Sequence, residues 1–250
     1  MNSANNAVQY SSMDSVHQGI IIQTTKYSDQ KIIARVFLKQ LGLLSFIVRT
    51  GKTAKSIQTG IIQPLSLVEF ESVIKENQQI HPIKNIRRAC VLNSIPIDPY
   101  KSTIVLFLNE VIQKTIPDNY SNPALFKFLW DAIILLDDSV DSRNFHLWCL
   151  LEIARHYGFY PQLSDENANY FDLKSSFFCS SHPTHSMFLE KSESDILLQI
   201  IDKEWPEVQN MPMRSSGRQK LLTGLVLYIM HHLENSREIK SLNILREVFH

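Results

Sequence analysis

The hydrophobic pattern of this chain changes period once, near Cys90, and that change limits what it can fold into. From His17 to Ile86 the apolar residues fall in five short runs: QGIIIQT, QKIIARVFL, LLSFIVRT, PLSLVEFESVIK and IHPIKNI. They are rich in β-branched residues, and polar or glycine-bearing stretches (KYSD, QLG, GKTAKS, ENQQ) separate them. Both features are strand and turn signals. In the fourth run the alternation of Leu65 and Leu67 gives way, past Glu69, to Phe70 and Val73, and this phase slip predicts a bulge. Five short strands at this spacing predict a small closed barrel, with an SH3-like barrel as the rival arrangement.

Beyond Cys90 the period becomes helical. SIPIDPY, with two prolines, marks a boundary. YKSTIVLFLNEVIQKT then carries Ile104, Phe107, Leu108, Val111 and Ile112 at helical spacing. NPALFKFLWDAIILLDD opens with Asn122 as N-cap and Pro123 at the first helical position. DSRNFHLWCLLEIARHYG runs from Asp141 to a terminating Gly158. ESDILLQIID, SSGRQKLLTGLVLYIMHHLEN and REIKSLNILREVFH supply three more helices. The chain is thus expected to be α+β. A polar leader spans 1–16, a five-stranded barrel 17–90 and an all-α domain 91–250. An irregular insert at about 161–190 interrupts the last.

Net charge is zero, but it is unevenly spread. Residues 1–90 hold eleven Lys and Arg against five Asp and Glu, an excess of six positive charges, and the rest of the chain has the matching acidic excess. A basic barrel joined to an acidic helical part predicts two domains with different partners, the barrel facing a polyanion. Three widely spaced cysteines exclude a disulfide framework and predict a reducing, cytoplasmic setting. No apolar run reaches the roughly 18 residues a membrane span needs, and the leader lacks the charged-then-apolar order of a signal peptide.

Barrels of this kind bind strands by pairing a basic groove with aromatic stacking. The candidate nucleic-acid contacts are Lys26, Lys31, Arg35, Lys39, Arg49, Lys52 and Lys55, joined by Arg87 and Arg88 near the domain junction. Tyr27 is a stacking candidate; Phe46 reads as core. TGKTAKS is not a phosphate loop, since only Gly51-Lys52-Thr53 fits that pattern. No nucleophile elbow, zinc-protease helix or glycine-rich nucleotide fingerprint occurs, so no catalytic residue is assigned. Asp137, Asp138 and Asp141 are expected to end one helix and cap the next. His231 and His232 are expected on the polar edge of their helix.

The order of segments resembles a known family. KYSDQKIIARVFLKQLGLLSFIVR, KTAKS and IIQPLSLVEFE are similar to the N-terminal barrel of the bacterial DNA repair protein RecO family. FHLWCLLEIARHYGFYPQL resembles its helical segment ending in a Gly-x-x-Pro turn (Gly158, Pro161), and EIKSLNILREVF its C-terminal helix. The resemblance implies an oligonucleotide-binding (OB) fold for the barrel. It implies a non-enzymatic mediator that binds single- and double-stranded DNA and anneals complementary strands. With RecR, that mediator helps load RecA on DNA coated by single-stranded-DNA-binding protein (SSB). It further implies that the helical domain takes the acidic C-terminal tail of SSB in an apolar pocket, with Lys240 and Arg246 as the cations. The alternative reading is a protein-interaction adaptor whose barrel binds peptide.

Many members of that family carry a four-cysteine zinc module after the Gly-x-x-Pro turn. Here FFCSSHPTHSMF stands in its place, with Cys179, His182 and His185 at three-residue intervals. Structural zinc takes four ligands, mostly thiolate. The expectation is therefore no metal and no cofactor. The loop should instead fold on Phe171, Phe177, Phe178, Met187 and Phe188.

Overall fold

The computed structural model describes residues 15–49, 60–163, 168–235 and 237–249. Five strands close a barrel: β1 (Ser15–Ser28), β2 (Lys31–Leu38), β3 (Gly42–Arg49), β4 (Leu67–Ser72) and β5 (Ile80–Arg88). Their order is β1-β2-β3-β5-β4, with β4 returning to pair with β1. Neighbours are antiparallel except β3 and β5, which run parallel. This is the five-stranded Greek-key order of the OB fold, and it decides between the two barrels left open above.

Alternation along the strands builds the core. Ala34, Val36 and Leu38 of β2, Phe46 and Val48 of β3, and Val68 and Phe70 of β4 are all buried. Phe46 meets Phe70 edge-on at 4.9 Å between ring centres, in the core as expected. The register slips between Phe70 and Ser72, where the phase of the fourth run changes. Gly42 opens β3 at φ +74°, a conformation side chains disfavour, and a β-carbon there would strike the Tyr120 carbonyl.

The leader 1–16 lies outside the described residues except for Ser15 and Val16, which start β1. Two compact units divide the chain: 1–92 with 116–133, and 93–115 with 134–250. The expected division near residue 90 thus misses one exchange, because residues 116–133 belong with the barrel. There Asn119 N–H donates to Leu43 O, and Phe126 packs on Phe37. The helix α2 (Pro123–Asp138) starts in this unit, and the Asn122 side chain caps it by accepting Leu125 N–H at 2.9 Å.

The second unit contains α1 (Pro99–Thr115), the end of α2, α3 (Phe145–Tyr157), α4 (Lys191–Ile200), α5 (Trp205–Gln209), α6 (Ser215–His232) and α7 (Ser241–Val248). In α3 the stretch Phe145–Leu151 is buried on every side. That is the mark of a central helix rather than an amphipathic surface one. Gly158 ends it at φ +85°, as the sequence predicts. Asn144, not Asp141, stands at its N-cap, and the Asn144 amide instead bonds the Val208 and Met211 carbonyls. Asp137 ends α2 with Asp138, as expected, but does not cap the next helix, whose N-cap is Asn144. The Asp137 carboxylate accepts the backbone N–H groups of Asn93, Ser94 and Ile95 at 2.8–2.9 Å and is held below the usual carboxylate range by them, against the opposing effect of burial.

The insert is not irregular throughout. It holds a three-stranded sheet, β7-β6-β8, made of β6 (Tyr170–Asp172), β7 (Phe177–Cys179) and β8 (Phe188–Leu189). Phe171 and Phe178 are fully buried and touch each other, and Phe171 meets Tyr228 of α6 edge-on. The Tyr228 hydroxyl bonds Ser176 Oγ at 2.8 Å, and His232 Nε2 donates to the Leu173 carbonyl at 2.9 Å. His232 is therefore partly buried, stacked on Phe159 at 4.8 Å, rather than set on a polar edge. Phe177 stays exposed, while Met187 and Phe188 are half-buried.

Candidate nucleic-acid interface and docking groove

On β2 the even positions 34, 36 and 38 point into the barrel, so the odd ones face outward. Register with β3 sets Lys31 opposite Arg49, Ile33 opposite Ile47 and Arg35 opposite Ser45. The outer face is thus a ladder: a doubly cationic rung, a half-exposed apolar rung, then a single guanidinium. Like charges placed directly opposite cost a sheet some ~0.2–1 kcal/mol. Among the described residues neither Lys31 nor Arg49 sits in an ion pair.

The barrel opens beside this rung. The parallel ladder between β3 and β5 runs only from Ser45–Ile80 to Ile47–Pro82. Proline has no N–H to continue it. Past that point lies a groove of about 380 Å3, lined by Lys31, Arg49 and Lys84 above Ile47, Pro82 and Ile83. Lys84 was not among the sequence candidates, because nothing in its own run marks it; only the parallel pairing brings β5 to β3. At the β1–β2 turn, Tyr27 sits in the register shift between Lys26 and Ser28 and is 63 % exposed. A bulge of this kind re-aims a side chain outward.

The remaining predicted contacts are placed differently. Arg35 is ion-paired with Asp118, Lys26 with Asp29 at 2.8 Å, and Arg87 with Glu69 at 2.5 Å. A hydrogen bond from Gln18, together with Arg87, holds the Glu69 carboxyl below its ordinary range. Arg88 donates to the Gly60 carbonyl. Lys39 lines a separate cleft with Gln40 and Glu69. Lys52 and Lys55 lie outside the described residues. The geometry brings together Lys31, Arg49 and Lys84, with Arg35 two rungs along.

In the insert, both histidines already have local partners. His182 Nδ1 donates to the Pro183 carbonyl at 2.7 Å, with its ring between Tyr170 and Phe188. His185 Nε2 lies 3.3 Å from Asp172 and its Nδ1 accepts Met187 N–H. Among the described residues no three His, Cys, Asp or Glu side chains converge as a metal group.

The helical unit holds a groove of about 630 Å3 between α6 and α7. Val226, Leu227 and Met230 come from α6, Leu242 and Arg246 from α7, and Met187 from the insert. Arg246 donates to Oγ1 of Thr223, which also lines the groove, at 2.5 Å. Arg237 lines the groove as well; the sequence reading put it at the start of the last helix and gave it no role, whereas the helix begins only at Ser241. Lys240, the other predicted cation, is exposed and does not line the groove. No helix of the described residues is long and apolar enough to cross a membrane.

A closed β1-β2-β3-β5-β4 barrel with an outward cationic rung, joined to a helical unit with a peptide-sized groove, defines a two-unit protein of the OB-fold class. The chain belongs to the recombination protein O family, a family of DNA repair. The family model described as Recombination protein O N terminal matches residues 13–92, and that described as Recombination protein O C terminal matches 97–242. The chain is 34 % identical over 234 residues to the DNA repair protein RecO of Flavobacterium johnsoniae, covering 93 % of this chain and 98 % of that one. It is 33 % identical to that of Bacteroides fragilis, with 92 % and 97 % covered, and 24 % identical to that of Porphyromonas gingivalis, with 94 % and 98 % covered.

Proposed function

We propose that this chain is a non-enzymatic recombination mediator. It binds single- and double-stranded DNA, anneals complementary strands and, with RecR, helps load RecA on SSB-coated DNA. The observation that carries the reading is the Lys31–Arg49 rung beside Lys84, a cationic site built at a cost in sheet stability. A phosphate there relieves the repulsion between the two side chains and gains charge-assisted hydrogen bonds. The Ile33–Ile47 rung and Tyr27 offer apolar and aromatic surface to the bases of the same strand. Annealing follows if the cations neutralise the phosphates of two strands, so that base pairing is no longer opposed by their charge.

The groove between α6 and α7 takes the acidic C-terminal tail of SSB. Its apolar floor receives the terminal side chain, and Arg246 with Arg237 receives carboxylates. Lys240, exposed at the start of α7, contributes at longer range. The adaptor reading placed a peptide on the barrel, whereas the apolar groove of peptide size belongs to the helical unit. The deciding experiment is annealing of complementary oligonucleotides coated with SSB. The expected result is faster annealing than without the protein, and DNA affinity that falls steeply with salt. No acceleration together with a flat salt dependence would overturn the reading.

A further inference from the structure

The wall of the docking groove formed by α7 is held from outside by one carboxylate. α7 is eight residues long and has no side-chain cap of its own: Lys240 stands at its N-cap without a capping bond. Helices this short do not hold together alone in water. The Glu110 side chain of α1 supplies what is missing. Its Oε1 accepts Lys240 N–H at 3.0 Å, and its Oε2 accepts Ser241 N–H at 2.7 Å and Ser241 Oγ–H at 2.5 Å. Lys114, one turn along α1, pairs with the same carboxylate at 2.7 Å. Lys114 Nζ also donates to the Glu238 carbonyl, and its own carbonyl accepts from the Asn235 amide at 2.6 Å. The last turn of α1 thus grips the chain at Asn235, at Glu238 and at the start of α7. Neither Glu110 nor Lys114 lines the groove.

We propose that Glu110 is the positioning residue of the docking groove: by capping α7 from α1 it holds Leu242 and Arg246 in place, and so sets the affinity for an acidic peptide ending in a free carboxylate. The proposal rests on the reading of the groove given above. An anion at a helix N-terminus both satisfies open N–H groups and opposes the helix dipole, so one side chain fixes where α7 begins and how it faces α6. Burial tends to raise the Glu110 carboxyl, but the bonds from Lys114, Ser241 and Lys240 outweigh it and hold the group at about 2. At neutral pH it is therefore ionised.

The test uses the full chain and a fluorescent synthetic peptide with the sequence of the cognate SSB tail. Glu110→Gln removes the charge while keeping the size. The expected loss of peptide affinity is about five- to tenfold, the scale of a helix cap. Hydrogen exchange should quicken at 237–249 while α3 and the barrel stay protected, and oligonucleotide affinity should not change. A double-mutant cycle with Arg246→Gln separates positioning from general stability. If Glu110 positions Arg246, the second substitution costs less in the Glu110→Gln background than in the native one; strictly additive losses would overturn the proposal. Leu242→Asp reports on the groove itself. Unchanged peptide binding in that variant places the peptide elsewhere, and both readings fall. Loss of binding in Leu242→Asp with native affinity in Glu110→Gln keeps the groove and rejects the role of Glu110.

Discussion

Arg35 is a cation on the proposed DNA face that is already spoken for, and freeing it should tighten binding. Its partner Asp118 comes from residues 116–133, the stretch that joins the barrel unit from beyond α1. The Asp118 side chain is 73 % exposed and that of Arg35 28 % exposed. An ion pair so open to water is worth about 0–1 kcal/mol. A phosphate reaching Arg35 must displace the carboxylate and forfeit that amount. Asp118→Asn removes the competing charge but keeps the backbone bridge between Leu43 and residue 118. Affinity for an oligonucleotide should therefore rise by up to about fivefold, the equivalent of ~1 kcal/mol. One more phosphate contact also steepens the slope of log K against log salt by about 0.7 for a single strand. Fluorescence anisotropy of a labelled oligonucleotide, titrated at several salt concentrations, reads both quantities. Unchanged affinity and slope would mean that Arg35 meets no phosphate, and that the strand's path ends before the third rung. Arg35→Glu should then be silent too.

Further outcomes follow from the same structure. Charge reversal at Lys31 or Arg49 should weaken DNA binding more than reversal at Lys26 or Arg87, whose charges are offset by Asp29 and Glu69; equal losses in a gel shift would argue against the β2–β3 ladder. Phe46→Ala should cost the barrel about 3–5 kcal/mol in denaturant unfolding, as deletion of a fully buried ring does. His146 is buried between Phe107 and Phe249, and burial, helped by the Arg218 charge, lowers its pKa to about 3. Between that value and the unfolded pKa near 6.5 the unfolded chain binds the extra proton. Stability is therefore full above about pH 6.5 and falls by up to ~1.4 kcal/mol per unit below it. Thermal melts of His146→Phe should show a shallower acid limb, and an unchanged limb would assign the acid sensitivity to other groups. Tyr228→Phe should release Ser176 and quicken hydrogen exchange in β6 and β7, while α3 stays protected.

How much of this was legible beforehand depends on how local each cause is. The five strands were, because alternation is written into each run and Phe46 and Phe70 carry the inward phase. The bulge in β4 was visible as a phase slip. The cationic rung was half legible: Lys31 and Arg49 are conspicuous residues, but their opposition depends on register, and Lys84 joins them only through the parallel β3–β5 pairing. Arg35–Asp118 and Arg87–Glu69 were beyond reach, since acids distant in sequence neutralise charges that look free along the chain. The β6–β8 sheet left no period to read, because strands of two or three residues complete no alternation. Asp137 misled for a related reason: a carboxylate at a helix end looks like a cap, while its actual donors are backbone amides more than forty residues earlier. The groove itself was not legible: Arg246 became a candidate only through the family resemblance, and the α6 wall, the place of Leu242 and the grip of Glu110 required the fold.

The short seam between β3 and β5 has a consequence for solubility. A barrel normally escapes the hazard of sheet edges by closing on itself. Here the closing ladder ends at Pro82, so the end of β3 lies beside a gap where a foreign strand could add. Proline and lysine are the residues that natural sheets place at such edges to repel one another's chains. Pro82, Lys84, Arg49 and Lys31 surround this gap. Neutralising all three cations should make the protein prone to self-association by strand addition, so loss of the rung would first be noticed as precipitation during purification.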